Sequence, residues 1–484
     1  MSLRNFRYVA FLEATSFLAL LVASYVKHTD GGETGVQILG PIHGLLFITY
    51  VVFALRLRAE HEWSGRTTAL VLLGAVLPFG GYAVDWWLIR DAERAGRNSR
   101  PLLALLALLA AASLGPLAAA GRAAPQDHWT PLAVEVLAPP QPVLAGDGKR
   151  HLAYELVLTN RGFPAPTKAT VRRVEALAGG KVLRSISGRH LAEMMSAYGR
   201  GKPPALNAGE TGSLLMDIAF PRRAKIPGRI VHRVVTALSP RNELVREAFT
   251  AAPTRVVREP ATVVAPPLRG SGWVVGNGCC DDPTSHRSSV LAVNGGLHAG
   301  ERFAIDFFQL TDGRTVDGPV DRLTSYPYFG AEVISATAGR VVTVVDGLPE
   351  TPVNFSLPPI AAAKAGGNHV VVRLRKGVFA FYGHLQPGSI MVRPGQRVRP
   401  GQVIARLGSS GNSNAPHLHF QLMDRPLPLA AEGLPFRFSR YRAEGTLRNF
   451  APVLVLGAKA KIAPAPRGAH SRRLPLNNQV IGFE

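Results

Sequence analysis

The stretch 366–420 decides the fold of the C-terminal part of the chain, and it ends in Ala415-Pro416-His417-Leu418-His419-Phe420. Two histidines one residue apart in an extended segment point to the same face, because side chains in a β-strand repeat every two residues. Two imidazoles that converge on one point suit a metal site, or a metal ligand with a catalytic neighbour. A lone His-x-His pair is a weak signal, so its interpretation depends on the surrounding segments.

The surrounding segments are short, Gly-rich and strand-like. Residues 368–374 and 378–384 predict a hairpin about Lys376-Gly377, and 392–407 adds short strands punctuated by two Pro-Gly pairs. Very little of this region follows a helical period. The pattern therefore predicts a small, antiparallel, all-β domain over residues 268–445.

The length of the chain limits the number of its domains, and its charge limits the kinds of partner. Its 484 residues predict two to four domains, and its formal net charge is +22. Such a charge favours an anionic partner such as membrane lipid, cell-wall polymer or nucleic acid. No basic run interleaved with aromatic residues stands out, so nucleic acid is not expected as a partner. The two cysteines, Cys279 and Cys280, are adjacent, which leaves both a bond between neighbours and two free thiols open.

The first 122 residues are predicted to be an α-helical transmembrane bundle of about four spans. Four apolar stretches each approach the ~20 residues needed to cross a bilayer, and they are 8–26, 36–55, 68–89 and 102–120. The fourth follows a group of arginines and ends in small residues, the layout of a secretory signal or signal anchor. Keeping those arginines inside places the later domains outside the cytoplasm. The arginines between the second and third stretches conflict with this orientation, so the topology and the cleavage of the fourth stretch stay open.

Residues 131–252 predict a β-sandwich-like spacer domain of immunoglobulin-like type, because short alternating strands are separated by Gly, Pro and Asn turns. The histidines His151, His190 and His232 are scattered through it and are interpreted as structural.

Two further segments border the C-terminal domain. The Pro-rich piece 253–267 is predicted to be a linker. The basic, Pro-rich piece 446–484 is predicted to be a tail that is disordered or associated with the cell wall.

Four motifs of the C-terminal part resemble, in order, those of the LytM/lysostaphin-type M23 metallopeptidases. They are Gly367-Asn368-His369-Val370-Val371-Val372, Tyr382-Gly383-His384-Leu385, Val392-Arg393-Pro394-Gly395-Gln396-Arg397-Val398-Arg399-Pro400-Gly401-Gln402 and Gly408-Ser409-Ser410-Gly411-Asn412-Ser413-Asn414-Ala415-Pro416-His417-Leu418-His419-Phe420. The resemblance implies a compact β-sheet zinc hydrolase that cuts peptide cross-links of bacterial peptidoglycan. In the N-terminal part, Arg7-Tyr8-Val9-Ala10-Phe11-Leu12-Glu13-Ala14-Thr15-Ser16-Phe17 and Gly40-Pro41-Ile42-His43-Gly44-Leu45-Leu46-Phe47 resemble a small bacterial integral-membrane family of unknown function, over residues 3–90.

The resemblance also implies roles for individual residues. Asp306 and His419 match two zinc ligands of the family, and His384 and His417 match two histidines that assist the attacking water. Zinc with three protein ligands and an open fourth position lowers the pKa of bound water to near 7 and polarises the scissile carbonyl. The implied cofactor is therefore Zn²⁺.

One position departs from the family pattern. The family's first ligand lies four residues before the aspartate, and Arg302 stands there. Arginine stays protonated and has no lone pair to offer a metal. The blocks 273–281, His286-Arg287 and 302–307 resemble a bacterial subgroup of M23-like proteins in which the His-Arg pair recurs. That resemblance implies His286 as the third ligand. His298, the adjacent cysteines as thiolates, and a domain that binds no zinc at all remain alternatives.

Two functional hypotheses follow. The first is a membrane-anchored zinc endopeptidase that hydrolyses peptide bonds in peptidoglycan, in a multi-pass membrane protein with an extracytoplasmic C-terminal domain. The alternative is a catalytically inactive M23-like domain that binds peptidoglycan or regulates another cell-wall hydrolase. The cleaved bond and the oligomeric state stay open.

Overall fold

The computed structural model describes residues 3–30, 34–91, 127–464 and 468–483. The chain divides into two compact units, Met1–Asp127 and His128–Glu484. The fold class predicted from the sequence is confirmed, since apolar helices come first and a β-rich body follows.

The described part of the first unit, residues 3–30 and 34–91, is helical. Its helices are α1 Leu3–Asp30, α2 Thr34–Glu60, α3 Gly65–Gly74 and α4 Gly80–Asp91. By length and composition, α1 and α2 could cross a membrane, with mean hydropathy of 1.9 and 2.0 in their most apolar windows. Aromatic residues pack where the helices meet: the rings of Phe6 and Tyr50 lie 4.9 Å apart, and Tyr50 Oη donates to Val71 O at 2.7 Å.

The third apolar stretch is not one long helix. It forms α3 and α4, which are 10 and 12 residues long. The break contains Pro78, which lacks the backbone donor that a continuing helix needs. A Cβ on Gly80 would lie 2.2 Å from Gly74 O, so only glycine allows the two helices to approach so closely there. The fourth apolar stretch, predicted as a signal-like span, lies outside the described residues.

The second unit begins with two five-stranded sheets that share one apolar core. Their elements are β1 Ala133–Val136, β2 Val143–Leu144, β3 Lys149–Thr159, β4 Lys168–Ala178, β5 Lys181–Ser187, α5 Gly188–Glu193, β6 Met195–Ala197, β7 Ala205–Leu206, β8 Thr211–Pro221, β9 Arg229–Ser239 and β10 Ala248–Arg255. One sheet has the order β1-β3-β8-β6 and the other β10-β9-β4-β5. Long apolar strands such as β3 and β8 face the second sheet, which makes this part a β-sandwich.

The rest of the second unit is built on one large sheet. Its elements are β11 Thr262–Val264, β12 Gly270–Gly276, α6 Ser285–Ser288, β13 Leu291–Val293, β14 Gly296–His298, β15 Ile305–Gln309, a 3₁₀ turn at Leu323–Ser325, β16 Glu332–Ile334, β17 Gly339–Val345, α7 Ala362–Ala365, β18 Asn368–Arg375, β19 Val378–Leu385, β20 Arg397–Val398, β21 Val403–Arg406, β22 Leu418–Met423, β23 Gly433–Leu434, β24 Phe436–Leu447, α8 Phe450–Leu456, β25 Ile462–Ala463, β26 Gly468–Arg473 and β27 Gln479–Phe483. The main order is β11-β24-β27-β12-β15-β22-β19-β18-β17-β20. The strands β15, β22 and β19 lie side by side at its centre.

The segments predicted as linker and tail are built into this unit. β11 pairs in parallel with β24, so part of 253–267 is a strand. Beyond residue 446, β27 pairs with both β12 and β24 and buries Val480, Ile481 and Phe483. The prediction of a disordered tail is wrong for this segment, because the short apolar run is long enough to complete a sheet although the surrounding composition is basic and Pro-rich.

The sandwich and the large sheet share buried contacts. Val143 and Ala153 of the sandwich belong to the apolar core of the large sheet. Gly146 N donates to Leu474 O at 2.8 Å, and Leu474 N donates to Leu144 O at 2.9 Å. The two parts of this unit are therefore packed against each other.

Candidate metal centre

Three buried side chains form a group that could hold a metal ion: His286, Asp306 and His419, with one ligand atom of each within 4.8 Å of the others. Asp306 on β15 and His419 on β22 are direct cross-strand partners of an antiparallel pair. His286 lies on α6, a single turn that begins after Thr284, whose side chain accepts from Arg287 N. Adjacent strands thus place two of the side chains, and a short capped helix places the third.

The potential ligand atoms surround the Asp306 carboxylate. His286 Nε2 lies 3.2 Å from Asp306 Oδ2, and His419 Nδ1 lies 3.1 Å from Asp306 Oδ1. Ligand atoms about 2.0–2.1 Å from a tetrahedral zinc are roughly 3.3 Å apart. The observed separations therefore suit a shared zinc ion.

Hydrogen bonds fix which nitrogen of each ring faces the carboxylate. His286 Nδ1 donates to Ala304 O at 3.2 Å, and His419 Nε2 donates to Gln421 Oε1 at 2.8 Å. The remaining nitrogen of each imidazole, facing Asp306, can keep its lone pair. Such outer partners are the usual means by which proteins orient histidine ligands.

One oxygen of the Asp306 carboxylate accepts a hydrogen bond, and the other has no donor in the described part of the chain. Asn277 Nδ2 donates to Oδ2 at 2.8 Å, whereas no donor among the described residues bonds to the buried Oδ1. Burial alone would raise the pKa of Asp306, but the neighbouring His286 and His417 hold it well below its usual value. The buried carboxylate therefore requires positive charge beside it. A divalent metal bound by Asp306 and the neighbouring imidazole nitrogens would supply that charge, so these residues fit a divalent metal.

Two further histidines adjoin the group. The rings of His384 and His417 lie 4.6 Å apart, and His417 Nε2 is 3.3 Å from Asp306 Oδ1. His384 Nδ1 donates to Ser410 O at 2.7 Å, and His417 Nδ1 donates to Ala415 O at 2.8 Å. Each therefore keeps an Nε2 that can accept a proton.

His384 combines an uncommon backbone conformation with a lowered pKa. Its φ is 60°, in the left-handed region that costs an ordinary residue about 1–2 kcal/mol. Burial lowers its pKa well below the usual value, and the neighbouring His417 and His419 reinforce this. A neutral imidazole in a constrained backbone is typical of a group kept for proton transfer.

Comparisons with known proteins match the two ends of the chain separately. The model of Peptidase family M23 matches residues 325–430. The model of a domain of unknown function, DUF3817, matches residues 3–90. The chain therefore carries an M23 peptidase domain behind a DUF3817 domain.

Individual relatives cover only parts of the chain. The M23 part is 40% identical over 74 residues to the glycyl-glycine endopeptidase ALE-1 of Staphylococcus capitis, which is 15% of this chain and 20% of ALE-1. The DUF3817 part is 32% identical over 80 residues to the uncharacterized membrane protein YdzA of Bacillus subtilis, which is 16% of this chain and 83% of YdzA. A match to a Streptomyces coelicolor membrane protein spans only 12% of that protein.

Among solved structures, the lysostaphin catalytic domain of Staphylococcus simulans is similar, with 24% identity and a TM-score of 0.19. The match covers 34% of this chain and 86% of that domain.

Arg302, which precedes the residues matched by the M23 model, lies in an ion network. Its Nε donates to Glu155 Oε2 at 2.6 Å and its Nη2 to Glu432 Oε2 at 2.8 Å. Glu155 belongs to the sandwich strand β3 and also accepts from Arg287 Nη1. Burial works against the charge on Glu155, but Arg302 and Arg287 hold its pKa below the usual value. The Arg302 guanidinium is thus occupied by two carboxylates and does not join the group around Asp306.

The other candidate ligands lie elsewhere. His298 Nδ1 is 3.4 Å from Glu432 Oε1 and takes no part in the group around Asp306. Cys279 and Cys280 are joined by a disulfide of 2.05 Å, so their sulfurs are not thiolates. Cys280 also adjoins His151 and Asp217, a second group of potential ligands, but its sulfur is bonded to Cys279.

Sequence reasoning missed two residues that bond to the candidate ligands, Asn277 and Gln421, and the buried carboxylate of Glu155, which bonds to the neighbouring arginines. Gln421 could have been found, because it follows His419 by two residues in the same strand and so shares its face. Glu155 left a weaker signal, a charged residue in the middle of the apolar run of β3.

Proposed function

We propose that the chain is a membrane-anchored zinc endopeptidase that hydrolyses peptide bonds in bacterial peptidoglycan. The observation that carries the proposal is the convergence of His286, Asp306 and His419, with two more histidines beside them. The similarity of the M23 part to a glycyl-glycine endopeptidase supports a peptide substrate.

His286, Asp306 and His419 would hold the ion. A zinc ion bound there would lower the pKa of a water molecule and polarise the scissile carbonyl. His384 Nε2, neutral because of burial, accepts the proton of the attacking water. His417, fixed through Ala415 O, orients the water and stabilises charge on the tetrahedral intermediate.

We further propose that the protein is a multi-pass membrane protein and that its M23 domain acts outside the cytoplasm. The apolar helices α1 and α2 and the membrane-protein relatives support membrane anchoring. The net charge of +22 fits an anionic wall and membrane surface.

Metal analysis and peptide release test this function. Purified full-length protein should contain about one zinc per chain and release soluble peptides from purified sacculi. His419→Ala should abolish both while leaving the fold intact, and Glu175→Gln, a change in the sandwich, should leave both unchanged. A well-folded wild-type protein without zinc or peptide release would contradict the proposal.

Arg302 favours one competing function, an inactive M23-like domain that binds peptidoglycan or regulates another hydrolase. That function requires sacculus binding without metal, and it predicts that His419→Ala has little effect on binding. Zinc binding by the wild type that is lost in His419→Ala therefore decides against it.

A further inference from the structure

A fully buried ion network connects the sandwich to the candidate metal centre. Glu155 and Arg287 are 0% exposed and Arg302 is 5% exposed. Arg287 reaches across the boundary between the two parts: its Nη1 donates to Glu155 Oε1 and its Nη2 to Met216 O at 3.2 Å. Its Nε donates to Cys280 O at 3.2 Å, on the side of the large sheet.

Both arginines lie next to proposed metal ligands in the sequence. Arg287 directly follows His286 on α6, a helix of only four residues, so a shift of one side chain moves the other. Arg302 precedes Asp306 by four residues, and its Nη1 donates to Gly433 O at 3.2 Å. One carboxylate of the sandwich therefore restrains the backbone on both sides of the centre.

The charges make the network interdependent. Two arginines are balanced by Glu155 and Glu432, and a buried charge that loses its partner is strongly unfavourable. With Glu155 neutral, two guanidinium groups would compete for one acceptor oxygen. Arg287 can relieve this only by moving, and α6 with His286 would move with it.

We propose that Glu155 is a positioning residue of the metal centre, so that the sandwich forms part of the catalytic unit. Through Arg287 it holds His286 at the distance from Asp306 and His419 that a metal ion needs. This inference rests on the proposed function, because it assumes an ion bound by His286.

The alternative is that the network only joins the two parts of the unit. A joint of that kind affects stability and leaves the metal site unchanged, whereas a positioning residue alters the metal site in protein that is still folded. Metal affinity and the absorption spectrum of bound Co²⁺ therefore separate the two roles, since the spectrum reports the ligand geometry directly.

The test compares Glu155→Gln with wild type in full-length protein. Zinc affinity is measured by competition with a chelator, and the d–d bands of Co²⁺-loaded protein are recorded. Loss of a direct outer partner of a metal ligand typically weakens binding about 10–100-fold. Because Glu155 acts on His286 only through Arg287, we expect the lower end, about tenfold, together with altered Co²⁺ bands. Glu175→Gln is the matched control, because Glu175 is a buried sandwich glutamate that pairs with Arg233 at 2.6 Å. It should leave zinc affinity and Co²⁺ bands unchanged.

Folded Glu155→Gln with wild-type zinc affinity and an unchanged Co²⁺ spectrum would overturn the positioning role and leave the proposed function intact. If Glu155→Gln does not fold, Glu155→Asp replaces it, because it keeps the charge but is one methylene too short to reach both arginines. The same weakening is expected there, and wild-type affinity overturns the proposal. A wild type that binds no zinc overturns this inference and the proposed function together.

Discussion

At the scale of single residues, His286 is the side chain on which zinc binding depends most sharply. His286→Ala removes one of three proposed ligands and should weaken zinc binding by more than the roughly 100-fold typical of an outer-partner loss. His298→Ala is the matched control, because His298 contacts Glu432 instead of the Asp306 group. Chelator competition on both variants measures the difference. Equal zinc affinity in wild type and His286→Ala would show that another residue completes the site.

Arg302 gives a second prediction on the same ligand. If His286 replaces the family's histidine as a ligand, adding Arg302→His to His286→Ala should partly restore zinc binding. A histidine there stands four residues before Asp306, as in the resembling family, although Glu155 then loses one of its two arginines. Zinc content of the double variant is compared with that of His286→Ala alone. No recovery in a folded double variant would mean that the backbone around 302 no longer admits a ligand.

His151 in the sandwich predicts a pH-dependent stability. Burial opposes its charge, but the carboxylates of Asp147 and Asp217 raise its pKa to about 9, against 6.5 ordinarily. Because the folded pKa is the higher, its stabilising contribution is complete below pH 6.5 and is lost as the pH rises through 9. The contribution is up to about 3 kcal/mol. Urea unfolding of residues 128–484 should thus show a larger penalty for His151→Gln at pH 6 than at pH 9.5.

His232 provides the control for that measurement. Burial lowers its pKa to about 4, so it is neutral in the folded and largely neutral in the unfolded protein above pH 7. The penalty of His232→Gln should therefore be the same at pH 7.5 and 9.5. A penalty of His151→Gln that is equally flat from pH 6 to 9.5 would contradict a charged His151.

At the scale of elements, the loop after β21 holds His384 in place. Gly367 has a φ of 60°, and a Cβ there would lie 2.3 Å from Ser410 O, the carbonyl that accepts from His384 Nδ1. Gly367→Ala should lower activity more than tenfold because it pushes this carbonyl away. Gly377→Ala is the control: it also has a positive φ, 70°, but its Cβ would meet nothing within 4 Å. Peptide release and thermal unfolding are measured for both variants. Backbone strain affects both variants, whereas the steric clash with Ser410 O affects only Gly367→Ala.

The elements also show how far sequence reasoning could reach. The convergence of His417 and His419 could be predicted, because side chains two residues apart in an extended segment point to the same face. The pairing of Asp306 with His419 joins strands far apart in the chain, and only the resemblance to a family indicated it. His286 has no periodic relation to either residue, so the sequence left His298 as an alternative. Glu155 lies 147 residues from Arg302 in another sheet, and no local pattern predicts which buried charges will meet.

At the scale of the whole molecule, residues 128–484 form one compact unit, in which the sandwich packs against the large sheet and β27 is one of its inner strands. In the order β11-β24-β27-β12, the strand β27 lies between the pair β11 and β24 at the edge and the rest of the sheet. Without β27, β24 and β11 lose their hydrogen-bonded connection to β12. Without the sandwich, Arg287 and Arg302 lose Glu155, and breaking a buried ion pair costs about 3–5 kcal/mol. That cost is a large share of the about 5–15 kcal/mol that stabilises a typical domain.

Three truncations test this dependence. Residues 128–484 should be soluble and unfold in one cooperative transition, whereas 128–450, which lacks β27, and 261–484, which lacks the sandwich, should be insoluble or unfold at much lower temperature. Circular dichroism melts of the purified fragments measure the difference, with Glu155→Gln in 128–484 as an intermediate case. A fragment 261–484 as stable as 128–484 would show that the sandwich is a separable spacer, since its contacts with the large sheet would then contribute nothing to folding.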